Sequence, residues 1–285
     1  MFALMVRNVR LFFRDRMTVF FSLLSSLILI GLYFLFLEGT LGPEVKDYIN
    51  PDIIMFNWLI AGILAISSIS TTLTVFGIKV KDEEKDITKD FYSTPRSKAE
   101  IAGGYIGAAF LVSMIISLFT LIVAELIMYF NYGSVISPMT FLKVLIITFV
   151  TVFSNSALMY LLILFVHSSS AYSVTSSLIG SLSGFLAGVY IPLGLLPNWV
   201  RSIIQFIPAT QAASLLRKAL MENEFQQMTG APKEVLLEVK ETLGVVLPLN
   251  DGYLTSSQSF LYVVLTGIIF YLLAVWKLSR EDKQA

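Results

Sequence analysis

Six long apolar stretches constrain this chain more than anything else in its sequence, and five of them carry no charged residue. They run Met17–Leu37, Ile53–Ile78, Ile101–Phe130, Val144–Val166, Ala171–Val189 and Ser256–Trp276, the third holding a single acid, Glu125. A hydrocarbon core about 30 Å thick needs roughly 20 apolar residues of helix to cross it. Lipid offers the backbone no hydrogen-bond partners, so only helices and closed barrels span it. These stretches lack the alternation of barrel strands. The sequence therefore predicts an all-α membrane protein with six transmembrane helices, built as one transmembrane domain over residues 1–285.

Composition agrees and narrows the chemistry. Charged residues make up 14% of the chain, against about 25% in soluble domains. With no cysteine and one histidine, His167, disulfides, thiol catalysis and multi-histidine metal sites are excluded. His167, at the inner end of the fourth stretch, reads as a capping residue. Lys and Arg balance Asp and Glu at 20 each, so nothing draws the chain to nucleic acid. The first stretch follows a basic segment, as a signal peptide would. It is too long for one and ends at Leu37-Glu38-Gly39 without a small-residue cleavage site, so it reads as retained.

Basic residues mark the cytoplasmic side of a membrane. Arg7, Arg10, Arg14 and Arg16 precede the first helix. Lys79, Lys81, Lys85, Lys89, Arg96 and Lys98 follow the second, and Lys277, Arg280 and Lys283 close the chain. Thirteen of the twenty basic residues thus fall on one side when both termini are cytoplasmic. The loop after the first helix holds Lys46 against four acids, and residues 131–138 hold no charge. A seventh crossing near 191–208 would put the basic C-terminus outside, against this rule.

Residues 1–16 form an amphipathic interfacial helix, with Phe2, Met5, Val6, Val9, Phe12 and Phe13 on one face and Arg7, Arg10 and Arg14 on the other. Its arginines suit anionic headgroups. It reads equally as a topological anchor or as a contact for a cytosolic partner. In the cytoplasmic segment 79–100, Ile87, Phe91 and Tyr92 share a short helical face that Pro95 ends. Such an aromatic edge suits docking to another protein, and a solvated loop is the plain alternative. On the second helix, Ser67, Ser68, Ser70, Thr71, Thr72 and Thr74, with Asn57 further out, either back-bond and pack or line a polar path.

The fifth helix repeats small residues every four positions, at Ser176, Gly180, Gly184 and Gly188, a face for close helix approach. Pro192, Pro197 and Pro208 then break any continuous span, and Trp199 suits an interface. The segment 191–255 is expected to form a re-entrant helical hairpin on the outer side between helices 5 and 6. A second amphipathic helix follows near Gln211–Met221, and 222–255 is a small external segment. Glu125 is an intramembrane charge and a functional suspect by default, with Lys143 as its candidate partner.

No G-x-x-x-x-G-K-[ST], G-x-S-x-G or H-E-x-x-H occurs, so the chain shows no phosphate-binding loop and no hydrolytic or metal-catalytic set. It reads as a non-enzyme with no cofactor of its own. An ATP-independent secondary transporter using Glu125, or a scaffold or sensor using residues 222–255, are competing readings. The first lacks a second intramembrane carboxylate and an inverted repeat.

In order and spacing these parts resemble the membrane (permease) subunit of a type-2 ATP-binding cassette transporter, of the drug, peptide and lipid exporter group. The likeness rests on VRNVRLFFRDRMTVFFSLL, on KDEEKDITKDFYSTPRSKAEI with its T-P step, and on IPLGLLPNWVRSIIQFIPATQAASLLRKAL after the fifth helix. It spans nearly the whole chain, although residues 222–255 exceed the family's minimum. The resemblance implies that 79–100 is a coupling loop whose Ile87, Phe91, Tyr92, Thr94, Pro95 and Arg96 meet a separate cytosolic ATPase, which would hold the ATP and Mg. It implies a working unit with a second permease copy, a homodimer in the plasma membrane with both termini cytoplasmic. It implies a path between the copies along helices 2 and 5, drawing on Asn57, Ser67, Ser70, Thr71, Thr74, Ser176, Gly180, Gly184 and Gly188. Pro192, Pro197, Trp199 and Pro208 would form the outer gate, and the substrate would be an amphiphile such as a peptide, drug or lipid. Phe56, Trp58 and Phe76 are too few aromatics for a polysaccharide route.

Overall fold

A computed structural model describes residues 1–37, 50–228, 232–249 and 252–281. The acidic loop around Lys46 and the tail residue Lys283 lie outside the described residues, as does the side chain of Tyr92. The amphipathic helix α1 (Phe2–Arg14) stops where Asp15 leaves helical geometry and caps α2 (Arg16–Leu32), its carboxylate accepting from Thr18 N–H at 3.1 Å. A π-helical turn, Tyr33–Leu37, extends α2. The long helix α3 (Pro51–Glu84) begins with Asn50 as cap and Pro51 in its first turn. Lys79–Glu84, expected in the cytoplasmic loop, instead continues this helix. The chain turns at Asp86, whose φ of 60° is left-handed, into the one-and-a-half-turn helix α4 (Ile87–Tyr92).

A reciprocal Ser97–Glu100 capping box opens α5 (Lys98–Tyr132), and Gly133 closes it in left-handed geometry. Then come α6 (Pro138–Ile163) and the serine-rich α7 (Ser169–Leu186). A 3₁₀ turn, Leu193–Leu195, and the short α8 (Asn198–Ile204) form a helical hairpin where the re-entrant one was expected. Next are α9 (Pro208–Gln227), α10 (Lys233–Thr242), a two-residue antiparallel pair β1 (Pro248–Leu249) and β2 (Gly252–Tyr253), and α11 (Ser256–Glu281).

Among the described residues, five helices are long and apolar enough to cross a membrane: α2, α3, α5, α6 and α11. The fifth expected span, α7, is not among them, because seven of its 18 residues are serine. Helix α3 is the hub, packed on by α5, α9, α6, α7 and α2, and it is buried on nearly every side. Around it lie two cores, named for the sidedness that the basic residues predict: an outer one near Trp58, Ile60, Leu121 and Leu216, and an inner one near Phe76, Tyr105, Val112 and Tyr160. Between helices in lipid, close packing and hydrogen bonds do the work that water would otherwise do. Asn155 of α6 donates to Ser68 Oγ of α3 at 2.6 Å, a buried cross-helix bond worth about 1 kcal/mol.

Two expectations about surface helices change. The apolar face of α1 meets protein rather than lipid alone: ideal Cβ atoms on Gly103, Gly104 and Gly107 of α5 would come within 3.1, 2.9 and 2.9 Å of Met1, Leu4 and Met5. Those glycines open a bed for the helix. The segment Gln211–Met221 is not an amphipathic surface helix. It is the heart of α9, sunk between α3, α6 and α11, and only Lys218 in it is exposed. Its Ala, Ser and Thr side chains are small enough to permit that approach.

Candidate functional site

One face of α3 carries Ser67, Ser70, Thr71 and Thr74, spaced i, i+3, i+4 and i+7, so they stack along a single stripe. Ser68 and Thr72, off the stripe, point into the bundle and are fully buried. The stripe looks across at a second row, Thr18, Ser22, Ser25 and Ser26 of α2, which the sequence reading left unassigned. Between the rows lie two cavities of about 430 and 320 Å³ that share Ser25, Ser67 and Ser70. They form one groove, walled by Leu29, Ile63 and Phe21 and bordered by Gly180 of α7 and by Tyr190.

Most of the hydroxyls there are already spent as donors, the exceptions among the described residues being Ser26, Ser70 and Thr71. Ser22 donates to Thr18 O (2.8 Å), Ser25 to Ser22 O (3.0 Å) and Thr74 to Ser70 O (2.8 Å). A hydroxyl that gives its proton to its own helix presents only lone pairs outward. The groove is therefore mainly an acceptor surface with apolar walls, suited to N–H and O–H groups on an apolar body. Asn57, expected along the same path, is buried in the outer part of α3.

The small-residue ladder of α7 divides into separate roles. Ser176 is half-buried, and Gly180 faces open space at the groove. At Gly184, a Cβ would fall 2.2 Å from the Tyr190 ring. Gly188 lies beyond the helix, at φ +65°, and turns the chain into the hairpin. The four do not form one packing face, because the helix ends at Leu186.

At the inner core, α1, α3, α4 and α5 meet at one ion pair. Arg7 donates to Asp82 from Nη1 (2.7 Å) and Nη2 (2.8 Å), and Tyr105 Oη–H donates to the same carboxylate at 2.7 Å. Asp82 is nearly buried, and its hydrogen bond raises the Arg7 guanidinium pKa above its ordinary value. Arg7 also donates to Asn8 Oδ1 (2.8 Å) and lies 5.5 Å from the Phe91 ring. It therefore does not face headgroups with Arg10 and Arg14, which are exposed. Ile87 and Phe91 are half-buried, Phe91 resting against the inner core, while Thr94, Pro95 and Arg96 are exposed. Arg96 pairs with Glu100 at 3.2 Å. His167 Nδ1 lies 3.1 Å from Glu83 Oε1, and Glu83 also holds Lys79.

At the outer core, a residue the sequence reading passed over is prominent. Arg217 of α9 is fully buried, with Nη2 donating to Ala187 O (2.8 Å) and Gly188 O (2.9 Å). A cation at the carbonyl end of α7 is electrostatically favoured. Its guanidinium also lies 5.2 Å from the Trp58 ring, whose Nε1–H donates to Leu243 O at 2.9 Å. One guanidinium thus ties the end of α7 to α3 and α9. Pro192 and Pro197 bound the 3₁₀ turn and α8, Pro208 starts α9, and Trp199 is 70% exposed.

Glu125 is half-buried near the outer end of α5, with Oε2 accepting from Ile136 N–H at 3.0 Å. Lys143 is not its partner, because it pairs with Glu222 of α9 at 2.7 Å.

The family model described as ABC-2 type transporter matches residues 1–221, more than three quarters of the chain. No curated protein matches it. The match takes in the interfacial helix, four of the five apolar spans, the α4 turn and the hairpin. This multi-pass membrane protein belongs to the ABC-2 type transporter family.

Proposed function

We propose that this chain is the permease subunit of an ATP-driven exporter for an amphiphilic substrate, a peptide, drug or lipid, working as a homodimer in the plasma membrane with both termini cytoplasmic. A family match to a membrane domain implies a transport component driven by a separate ATPase subunit. That subunit would hold the ATP and Mg. The observation that carries the reading is the groove of α2, α3 and α7. It offers acceptor hydroxyls beside apolar walls, and one side of it is the serine-rich α7, which a single copy leaves largely exposed. A second copy across that face would complete a path and shield those serines from lipid. The inner node supports the drive: Phe91 of α4 touches Arg7, and Arg7 holds the inner end of α3, so displacement of α4 acts on the helix that forms the groove.

The test uses the chain reconstituted with its cognate ATPase in vesicles, with amphiphile-stimulated hydrolysis and fluorescent-amphiphile export as readouts. Ser67→Leu combined with Ser70→Leu fills the groove. It should abolish stimulation and export while basal hydrolysis persists. Phe91→Ala should reduce stimulation with the groove intact. Unchanged export by the filled-groove variant would overturn the proposal.

A further inference from the structure

Glu125 stands beside a second cavity, of about 510 Å³, on the flank of the molecule formed by α5, α6 and the turn between them. The wall is apolar and includes Leu126, Tyr129, Val135, Pro138 and Phe141. Leu126, Tyr129 and Val135 are each more than half exposed, so the cavity opens sideways toward lipid. None of the elements around it borders the hydroxyl-lined groove, which belongs to α2, α3 and α7.

The carboxylate in this wall is under-provided. Among the described residues, its one hydrogen bond comes from the Ile136 backbone, to Oε2, and no basic side chain forms an ion pair with it. The lysine nearest in sequence on α6, Lys143, is held by Glu222. An acid at membrane depth is costly unless something faces it. Glu125 lies seven residues before the end of α5 at Tyr132, about 10 Å along the helix. That depth suits the join between headgroups and acyl chains.

We infer that this cavity binds an amphiphile carrying a protonated amine, with the ammonium donating to Glu125 and the apolar body lying along α5 and α6. The open Oε1 accepts the N–H, and Tyr129 and Phe141 supply faces that favour a cation. An anionic amphiphile would meet like charge. A neutral one would leave the carboxylate unpaired. A quaternary ammonium could approach but could not donate. An amine-bearing membrane lipid and a soluble alkyl amine share this chemistry.

The test takes the purified full chain in mild detergent and reads retained ligand by native mass spectrometry. One arm offers phosphatidylethanolamine against phosphatidylcholine, and the other dodecylamine against dodecanol. In at least one arm the wild-type chain should retain the primary amine about tenfold more than its comparator, the ratio expected for one charge-assisted hydrogen bond. Glu125→Gln keeps the acceptor for Ile136 N–H and should erase that preference. Val135→Trp narrows the mouth without touching the carboxylate and should lower amine retention. A preference seen only with the phospholipid assigns the site to a membrane lipid; one seen only with dodecylamine assigns it to a soluble amphiphile. Equal retention of amine and comparator in both arms, or a preference that survives Glu125→Gln, would overturn the inference. Neither readout depends on transport or on the groove.

Discussion

Removing the Arg7–Asp82 pair should cost more than a surface salt bridge and less than a buried one. Exposed pairs contribute about 0.2–1 kcal/mol, while breaking a buried pair costs about 3–5 kcal/mol. Here Asp82 is 6% exposed and Arg7 34%. The geometry is bidentate, and Tyr105 adds a third donor to the carboxylate. Water reaching the guanidinium discounts the buried limit by about half, which places the pair's coupling energy near 2 kcal/mol. A double-mutant cycle of Arg7→Met and Asp82→Asn measures it, with unfolding of the detergent-solubilised chain followed by tryptophan fluorescence. Each single variant should destabilise by about 2 kcal/mol, and the double variant by little more than either alone. The pH dependence has a definite sign. A folded-state pKa raised above the ordinary value gives stability that is fully present below the ordinary value and lost only as pH climbs past the folded one. For arginine that window lies far above neutrality, so the coupling should stay flat from neutral to mildly alkaline pH. A coupling energy under about 0.5 kcal/mol would refute the reasoning and leave the glycine bed of α5 as the main hold on α1.

Gly188→Ala should be among the costlier small changes. It forces alanine to φ +65° and brings a Cβ within 2.7 Å of Leu193, so a loss of about 2–3 kcal/mol is expected in the same unfolding assay. Lys143→Met should lower stability by less than about 1 kcal/mol, because Lys143 and Glu222 are each 43% exposed. A larger loss would mean that the pair is shielded in the membrane.

The spans were legible because hydrocarbon thickness fixes how long an apolar run must be, and that demand is written locally. The stripe Ser67, Ser70, Thr71 and Thr74 was legible for the same reason, since helical spacing is a local property. Thr18, Ser22 and Ser25 carry the same i, i+4, i+7 signal on α2, and that signal was available to find the other half of the groove. Longer-range facts left no local trace. Asp82 lies 75 residues from Arg7, so the sequence could group Arg7 only with its neighbours on α1. Glu125 and Glu222 both sit near the outer side, and nothing local says which of them Lys143 will choose. Arg217 lies in LLRKAL, which reads as an ordinary amphipathic surface. Only the packed structure shows carbonyls at the end of α7 waiting for it.

The two charged anchors bear on the same helix, and this decides what can move. Trp58 and Asp82 are 24 residues apart on α3, about 36 Å along its axis. At the outer anchor, Trp58 is held by Leu243 O and stacked by Arg217; at the inner one, Asp82 is held by Arg7 and Tyr105. No proline interrupts the stretch between them, and α5, α6 and α9 pack closely along it. Clamped at both ends and enclosed in between, α3 has little room to bend, and its points of give are Gly77 and the back-bonding Ser68, Thr72 and Thr74. Under the proposed drive, motion that enters at α4 would be passed to α3 and to the helices packed on it, α5, α6 and α9. The groove hydroxyls at positions 67–74 ride on α3, whereas those of α2 belong to a helix that is mostly exposed along its apolar length. Half of serine-rich α7 is exposed, but it is fastened at both ends: Ser169 donates to Glu84 and Tyr172 Oη–H to Leu73 O (2.5 Å) near its start, and Arg217 holds Ala187 O and Gly188 O at its outer end. Of the two helices that face α3 across the groove, α2 is thus the freer to shift: Tyr33 Oη–H ties it to Asp52 O (2.8 Å) at one end, whereas α7 is tied at both.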